Sequence, residues 1–140
     1  MVKLRYSLIG VAVLAILSAL LPWYSSNLQD SALDQAASGM QVESLHTAEN
    51  AASMDPFSIT ALFTLAGAQQ RVGWQTDARN TLIKATRIQP DNYQTWEQLA
   101  LYERDRWNMP VQAKTDFEKA VELDPQNKEL KAEAELTPVS

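Results

Sequence analysis

The side chains able to do chemistry are few and far apart. His46 is the sole histidine, and the chain has no cysteine. A nucleophilic triad needs a histidine held between a hydroxyl and a carboxylate, and no spacing around His46 suggests one. The lack of cysteine excludes disulfides, thiolate zinc sites, a cysteine nucleophile and a lipid anchor on cysteine. Gly10, Gly39, Gly67 and Gly73 are scattered and form no phosphate-binding loop. A metal would have to be held by carboxylates alone, drawn from Glu103 and Asp105 or from Asp116, Glu118 and Glu122. Those residues read more simply as solvated helix faces, with Lys119–Glu122 and Lys128–Glu129–Lys131 mixing charge. The expectation is a non-enzymatic chain with no catalytic residue, cofactor, metal or small-molecule substrate.

Composition divides the 140 residues in two. The first 24 hold 18 apolar residues, whereas all 17 acidic residues and ten of the twelve basic ones follow. An acidic surface argues against a nucleic-acid partner, since phosphate contacts need a basic patch. From Ser7 to Tyr24 there is no charge, and a helix of that length spans about 27 Å, close to a bilayer core of roughly 30 Å. Pro22 is placed to end such a helix, and Trp23 and Tyr24 suit the headgroup level. The expectation is a single transmembrane helix within residues 1–24, with Leu8, Val11, Leu14, Leu17, Leu21, Trp23 and Tyr24 as anchor residues. Lys3 and Arg5 precede it, and no Lys or Arg occurs from Tyr6 through Gln70. The positive-inside rule then predicts a cytoplasmic N-terminus and an extracytoplasmic remainder, anchored in the cytoplasmic membrane. Small residues at Gly10, Ala12, Ala15, Ser18 and Ala19 offer a face for a second transmembrane helix. Two alternatives stand beside the anchor. A cleaved signal peptide is poorly served by Ser-Ala-Leu-Leu-Pro-Trp-Tyr, and a buried soluble helix needs apolar partners on every face.

The rest of the chain repeats. Pro56 and Pro90 lie 34 residues apart, Pro90 and Pro125 lie 35 apart, and Gly39 and Gly73 again 34. Each proline follows an alanine-rich run, a pattern expected of paired helices that approach closely. From Ile59 to Asn92, Leu62, Leu65, Ala66, Ala78, Leu82, Ala85 and Pro90 fall at positions 4, 7, 8, 20, 24, 27 and 32. From Tyr93 to Asn127, Trp96, Leu99, Ala100, Ala113, Phe117, Ala120 and Pro125 follow the same order, with one extra residue in the turn Arg106 to Pro110. From Ser25 to Ser58, Leu28, Ala32, Ser44, Ala51 and Pro56 fit, while Ser31 and Ala48 do not. At position 11, usually aromatic, stand Gln35, Gln69 and Glu103. With these residues the chain resembles the tetratricopeptide repeat (TPR) family.

The resemblance implies an all-α chain: the transmembrane helix, then a right-handed TPR α-solenoid of about three helix-turn-helix repeats and a capping helix. The divisions are 1–24 for the anchor, 25–58, 59–92 and 93–127 for the repeats, and 128–140 for cap and tail. Helices are expected at 27–38, 41–54, 57–72, 75–88, 92–106, 110–123 and 126–136. Prolines interrupt each second helix, Gly39 and Gly73 supply left-handed turns, Asn108 is read as a cap and Pro110 as a first-turn residue. Trp74 and Trp107 fall in inter-helix turns, either covering a repeat edge or offered to a partner.

The resemblance further implies a partner-binding concave face. In the second repeat it comprises Thr60, Phe63, Thr64, Gly67, Gln70 and Arg71; in the third, Gln94, Glu97, Gln98, Leu101, Arg104 and Asp105. TPRs that clamp a terminal carboxylate carry asparagine at position nine, which here is Leu33, Gly67 and Leu101. The function expected is a scaffold or accessory subunit binding protein partners in a bacterial membrane complex, with the bilayer as a second partner. A weaker resemblance, carried by the apolar span ending Leu-Pro-Trp and the string Asp-Pro-Phe-Ser, is to the C-terminal tail of O-antigen-ligase-like polymer transferases. A TPR assembly factor for secretion or cytochrome maturation is the remaining alternative.

Overall fold

A computed structural model describes residues 2–137, with side chains described at position 18 and from 20 onward. Among the described residues there are seven helices: α1 (Val2–Ala37), α2 (Gln41–Met54), α3 (Ile59–Arg71), α4 (Gln75–Ile88), α5 (Tyr93–Arg106), α6 (Pro110–Leu123) and α7 (Lys128–Leu136). Each helix packs chiefly on its neighbours in sequence, and α1 also reaches α3. The result is a single stack of helix pairs closed by α7.

Helix ends repeat with the sequence period because the same backbone problem is solved the same way each time. The first helix of a pair is capped by a side chain. Ser58 Oγ accepts from Ala61 N at 3.2 Å, Asn92 Oδ1 from Gln94 N at 3.0 Å, and Asn127 Oδ1 from Glu129 N and Leu130 N, both at 3.1 Å. Such caps supply acceptors for N–H groups with no partner inside the helix. The second helix instead follows a residue at positive φ: Gly39 at 79°, Gly73 at 87° and Asn108 at 49°. Glycine has no Cβ penalty there, and asparagine tolerates the conformation better than most residues. Asn108 is thus not the cap expected from its type. It stands where the other turns use glycine, and Met109 precedes α6 without a side-chain cap. Pro110 occupies the first turn of α6 as expected.

The core is built from small residues at close crossings and a few large ones between them. Ala32, Ala48, Ala51, Ala61, Ala78, Ala85, Ala100, Ala113 and Ala120 are all fully buried. Around them, Leu82 and Leu99 cluster with Tyr102, and Phe117 with Ala100, Ala120 and Leu130. Trp96 is only half-buried, because its indole N–H reaches out to Pro90 O at 2.8 Å. The large buried ring of the last pair is Phe117.

The N-terminal helix overturns the expected anchor. Among the described residues no helix is long and apolar enough to cross a membrane. The predicted transmembrane helix is corrected accordingly, and with it the single-pass placement in the cytoplasmic membrane with repeats on the extracytoplasmic side. Pro22 does not end the helix: it lies inside α1, which runs on to Ala37. Beyond it the helix turns polar and joins the stack, with Ser25, Gln29 and Ala32 buried. Ser25 Oγ donates to Ala51 O at 3.0 Å, and Ser44 Oγ of α2 donates to Ala32 O at 2.8 Å. The predicted separate helix at 27–38 is therefore the C-terminal part of α1. Leu21, Trp23 and Tyr24 are exposed, and the side chains of Leu8, Val11, Leu14 and Leu17 lie outside the described residues.

Two tests follow from this packing. Phe117→Ala is expected to lower unfolding stability by about 3–5 kcal/mol, and Ala113→Leu by about 1–3 kcal/mol through overpacking, read by urea denaturation. At the α5–α6 turn, Asn108→Gly should leave stability equal or higher, whereas Asn108→Val should lower it by roughly 1–2 kcal/mol, since a β-branched residue resists positive φ.

Candidate functional site

Phe63, Ala66, Gly67 and Gln70 of α3, Leu82 of α4, and Gln98, Leu101, Tyr102, Asp105 and Arg106 of α5 line a groove of about 240 Å³. Residues three and four apart on α3 and α5 share a face, so two parallel strips of side chains meet across it. Apolar walls come from Phe63, Leu101 and the Tyr102 ring. The polar groups are the amides of Gln70 and Gln98, the Asp105 carboxylate and the Arg106 guanidinium. Gly67 leaves the floor open: a Cβ built there would meet only Arg71 Nη1, at 3.8 Å.

Two contacts fix the walls. Arg106 reaches from α5 to Gln70 on α3, whose amide oxygen, turned toward the guanidinium, accepts from Nε at 2.6 Å and Nη2 at 2.9 Å. Tyr102 Oη donates toward Gln75 at the start of α4, 2.7 Å from Oε1 and 3.0 Å from the backbone oxygen. Burial pushes the Tyr102 phenol up, with Trp107 and Arg106 pulling it back.

Of the twelve residues expected on the concave face, the groove gathers Phe63, Gly67, Gln70, Gln98, Leu101 and Asp105. Thr60, Arg71 and Gln94 are exposed but do not line it, and Thr64 donates back to Thr60 O at 3.0 Å. Arg104 holds the capping helix instead, and Glu97 lies near that helix's carboxylates. Arg104 holds Glu133 of α7 and Asp105, and lies 5.4 Å from the Phe117 ring centre. Both partners raise its pKa. Glu97 is raised by burial first, then by Glu133 and Glu129 of α7. Ala66, Leu82, Tyr102 and Arg106 were not expected in the groove. Ala66 and Leu82 read as core in sequence, Tyr102 carried no assignment, and Arg106 lies past the end of the predicted face.

The unusual eleventh position has a structural answer. Gln35 Oε1 accepts from Thr47 Oγ1 at 2.8 Å, and Gln69 Oε1 accepts from Thr81 Oγ1 at 2.8 Å. Each is a polar rung joining the two helices of a pair. Glu103 takes the same place in α5. It is almost fully buried and accepts from Arg79 of α4, with Nε at 2.9 Å and Nη2 closer still. Arg79 also stands 5.9 Å over the Trp107 ring, so Trp107 covers an edge of the preceding pair. Trp74 is half exposed.

The residues weighed for other chemistry do not converge. His46 is exposed, with Nδ1 3.4 Å from Glu49. Among the described residues no group of three His, Cys, Asp or Glu gathers that would hold a metal ion.

No protein-family model and no curated protein matches this chain. Solved structures do, and they define the class: the fold is that of TPR domains. The TPR domain of Sgt2 from Aspergillus fumigatus matches with a TM-score of 0.68 at 22% identity, over 81% of this chain and 76% of that one. The first TPR domain of human RPAP3 matches with a TM-score of 0.68 at 18% identity, over 81% of this chain and 89% of that one. SycD, a type III secretion chaperone of Yersinia enterocolitica, solved with a peptide of the translocator YopD, matches with a TM-score of 0.65 at 14% identity, over 79% and 88%. Neither membrane anchoring nor kinship with O-antigen-ligase-like proteins is shown by these likenesses.

The buried Glu103 sets a test for this region. Arg79→Met removes its cation and leaves a carboxylate without compensation, which is expected to cost about 3 kcal/mol in urea denaturation. Glu103→Gln in the same background should recover a large part of that loss.

Proposed function

We propose that this chain is a non-enzymatic protein-interaction module, a scaffold or accessory subunit that holds an extended segment of a partner protein between α3 and α5. The observation that carries the reading is the groove itself. It is open, lined by two helices at regular spacing, and offers alternating apolar and hydrogen-bonding groups over a floor cleared by Gly67. An extended peptide presents side chains and unpaired backbone groups in that same alternation. Support comes from the TPR likenesses, among them an RPAP3 TPR solved with the HSP90 peptide SRMEEVD and SycD with its YopD peptide.

The groove chemistry narrows the ligand. Position nine is Gly67 and Leu101 rather than asparagine, so the groups that clamp a terminal carboxylate are absent from α3 and α5. The segment favoured is an internal stretch with one large apolar side chain for Phe63 and Leu101 and a polar or basic neighbour for Asp105. Thr60, Thr64, Arg71 and Gln94 are proposed as an outer rim.

Gly67→Trp tests this directly. A peptide selected against the wild-type chain from a displayed random library is expected to lose at least about tenfold in affinity, with the thermal melt little changed because the position opens on the groove and a Cβ there meets only Arg71 Nη1, at 3.8 Å. Equal affinity for both proteins would sink the groove as the site, and failure of the wild type to select any peptide would sink the module reading.

A further inference from the structure

The third polar rung differs from the first two in a way the groove does not use. Gln35 meets Thr47 and Gln69 meets Thr81, each twelve residues on. The extra residue in the α5–α6 turn moves the corresponding partner of Glu103 to Asp116. At that place a neutral amide–hydroxyl pair is replaced by two carboxyl groups. Both border a cavity of about 290 Å³ with Arg79, Leu99, Val111 and Thr115. Arg79 occupies one oxygen of Glu103, and the other, Oε2, is buried and accepts no hydrogen bond. One cation therefore faces two carboxylates, and the cluster lacks a single positive charge. A proton on Asp116 supplies it, since a protonated carboxyl donates to a carboxylate while two ionised ones repel.

We propose that Asp116 and Glu103 form a latch between α5 and α6, closed while the two carboxyls share one proton and loosened when that proton leaves. The groups acting on Asp116 are Glu103 from α5 and Arg79 from α4. Burial pushes the Asp116 carboxyl up to about 7, the Glu103 charge and hydrogen bond push the same way, and Arg79 opposes them. In the unfolded chain an aspartate titrates near roughly 3.9. Between those values the folded chain holds a proton that the unfolded chain has lost. The latch contribution is thus complete in acid, declines as pH rises through the interval, and is gone above about 7. The first two rungs carry no ionisable group, so the effect is confined to the last pair.

Thermal melts of the full chain from pH 5 to 8.5 test the latch. The wild type is expected to melt higher at pH 5.5 than at pH 8 by at least about 5 °C. Glu97, raised by its own burial, adds to the wild-type slope, so the decisive quantity is the difference between proteins. Asp116→Asn should remove most of the slope. So should Glu103→Gln with Asp116→Thr, which rebuilds the rung of the second pair. Hydrogen exchange at pH 8 relative to pH 5.5, corrected for intrinsic rates, should show lost protection in α6 and none in α2 or α3. Should a variant fail to fold, carbon-13 titration of the wild-type side-chain carboxyls decides alone. An Asp116 midpoint below pH 5, or an Asp116→Asn slope equal to that of the wild type, overturns the proposal.

Discussion

The structure depends on how closely helix backbones approach one another. Where helices approach one another the small side chains are chiefly alanine, nine of them fully buried, with Ser25 and Ser44 taking such places between α1 and α2. Side chains this small let two helices lie at the short end of the usual interaxial range. Everything larger is displaced into the gaps: Leu62 and Leu82 around the middle pair, Phe117 and Leu130 at the end. Because the constraint recurs with the period of the chain, each pair is placed by the one before it. The groove follows from the same geometry, since α3 and α5 hold a common orientation only if α4 fits closely against both.

Close packing of small residues leaves the middle of each pair to be filled, and this chain fills it with polar groups at position 11. A buried polar group costs free energy unless it is bonded, and each of the three is bonded to a neighbouring helix. An aromatic ring at that place would contribute area alone. A hydrogen bond with a single partner adds a directional requirement, so a sliding of one helix along the other breaks it. The first two rungs meet that requirement with neutral groups. The third meets it with charge, and it ties α4 to α5 through Arg79.

Much of this was legible in the sequence. The alanine period located α2 to α6, because a small residue is the direct chemical consequence of a close crossing. Gly39 and Gly73 gave the turns because each takes a positive φ. The misreadings arise where a residue's type has two physical uses. Pro22 was read as an end, yet it sits within α1. The uncharged residues before it suggest a bilayer span, whereas the described side chains of α1 pack into the stack only from Ser25 onward, and among the described residues no helix meets the length and apolarity of a span. Asn108 was read as a cap because asparagine caps well, but the same short polar side chain also tolerates positive φ. Half of the predicted concave face converges on the groove, and Glu97 and Arg104 were lost to α7, whose cover over the last pair no spacing rule specifies.

Position 116 shows why the rung was harder to see than the repeat. In a strict 34-residue register the partner of Glu103 is Thr115, which would reproduce the rung of the pair before and give no reason for comment. The extra residue in the turn moves the numbering of α6 by one as a unit, so Asp116 stands three residues after Ala113 as Thr81 stands three after Ala78. The chemistry of the buried contact therefore changes through residue type, aspartate for threonine, while the fold is kept, since the alanines at 113 and 120 shift with the insertion and remain at 0% exposure. The groove face of α5, with Gln98, Leu101, Tyr102 and Asp105, adjoins the face that carries Leu99 and Glu103. One helix therefore lines both the groove and the cavity that Glu103 and Asp116 border.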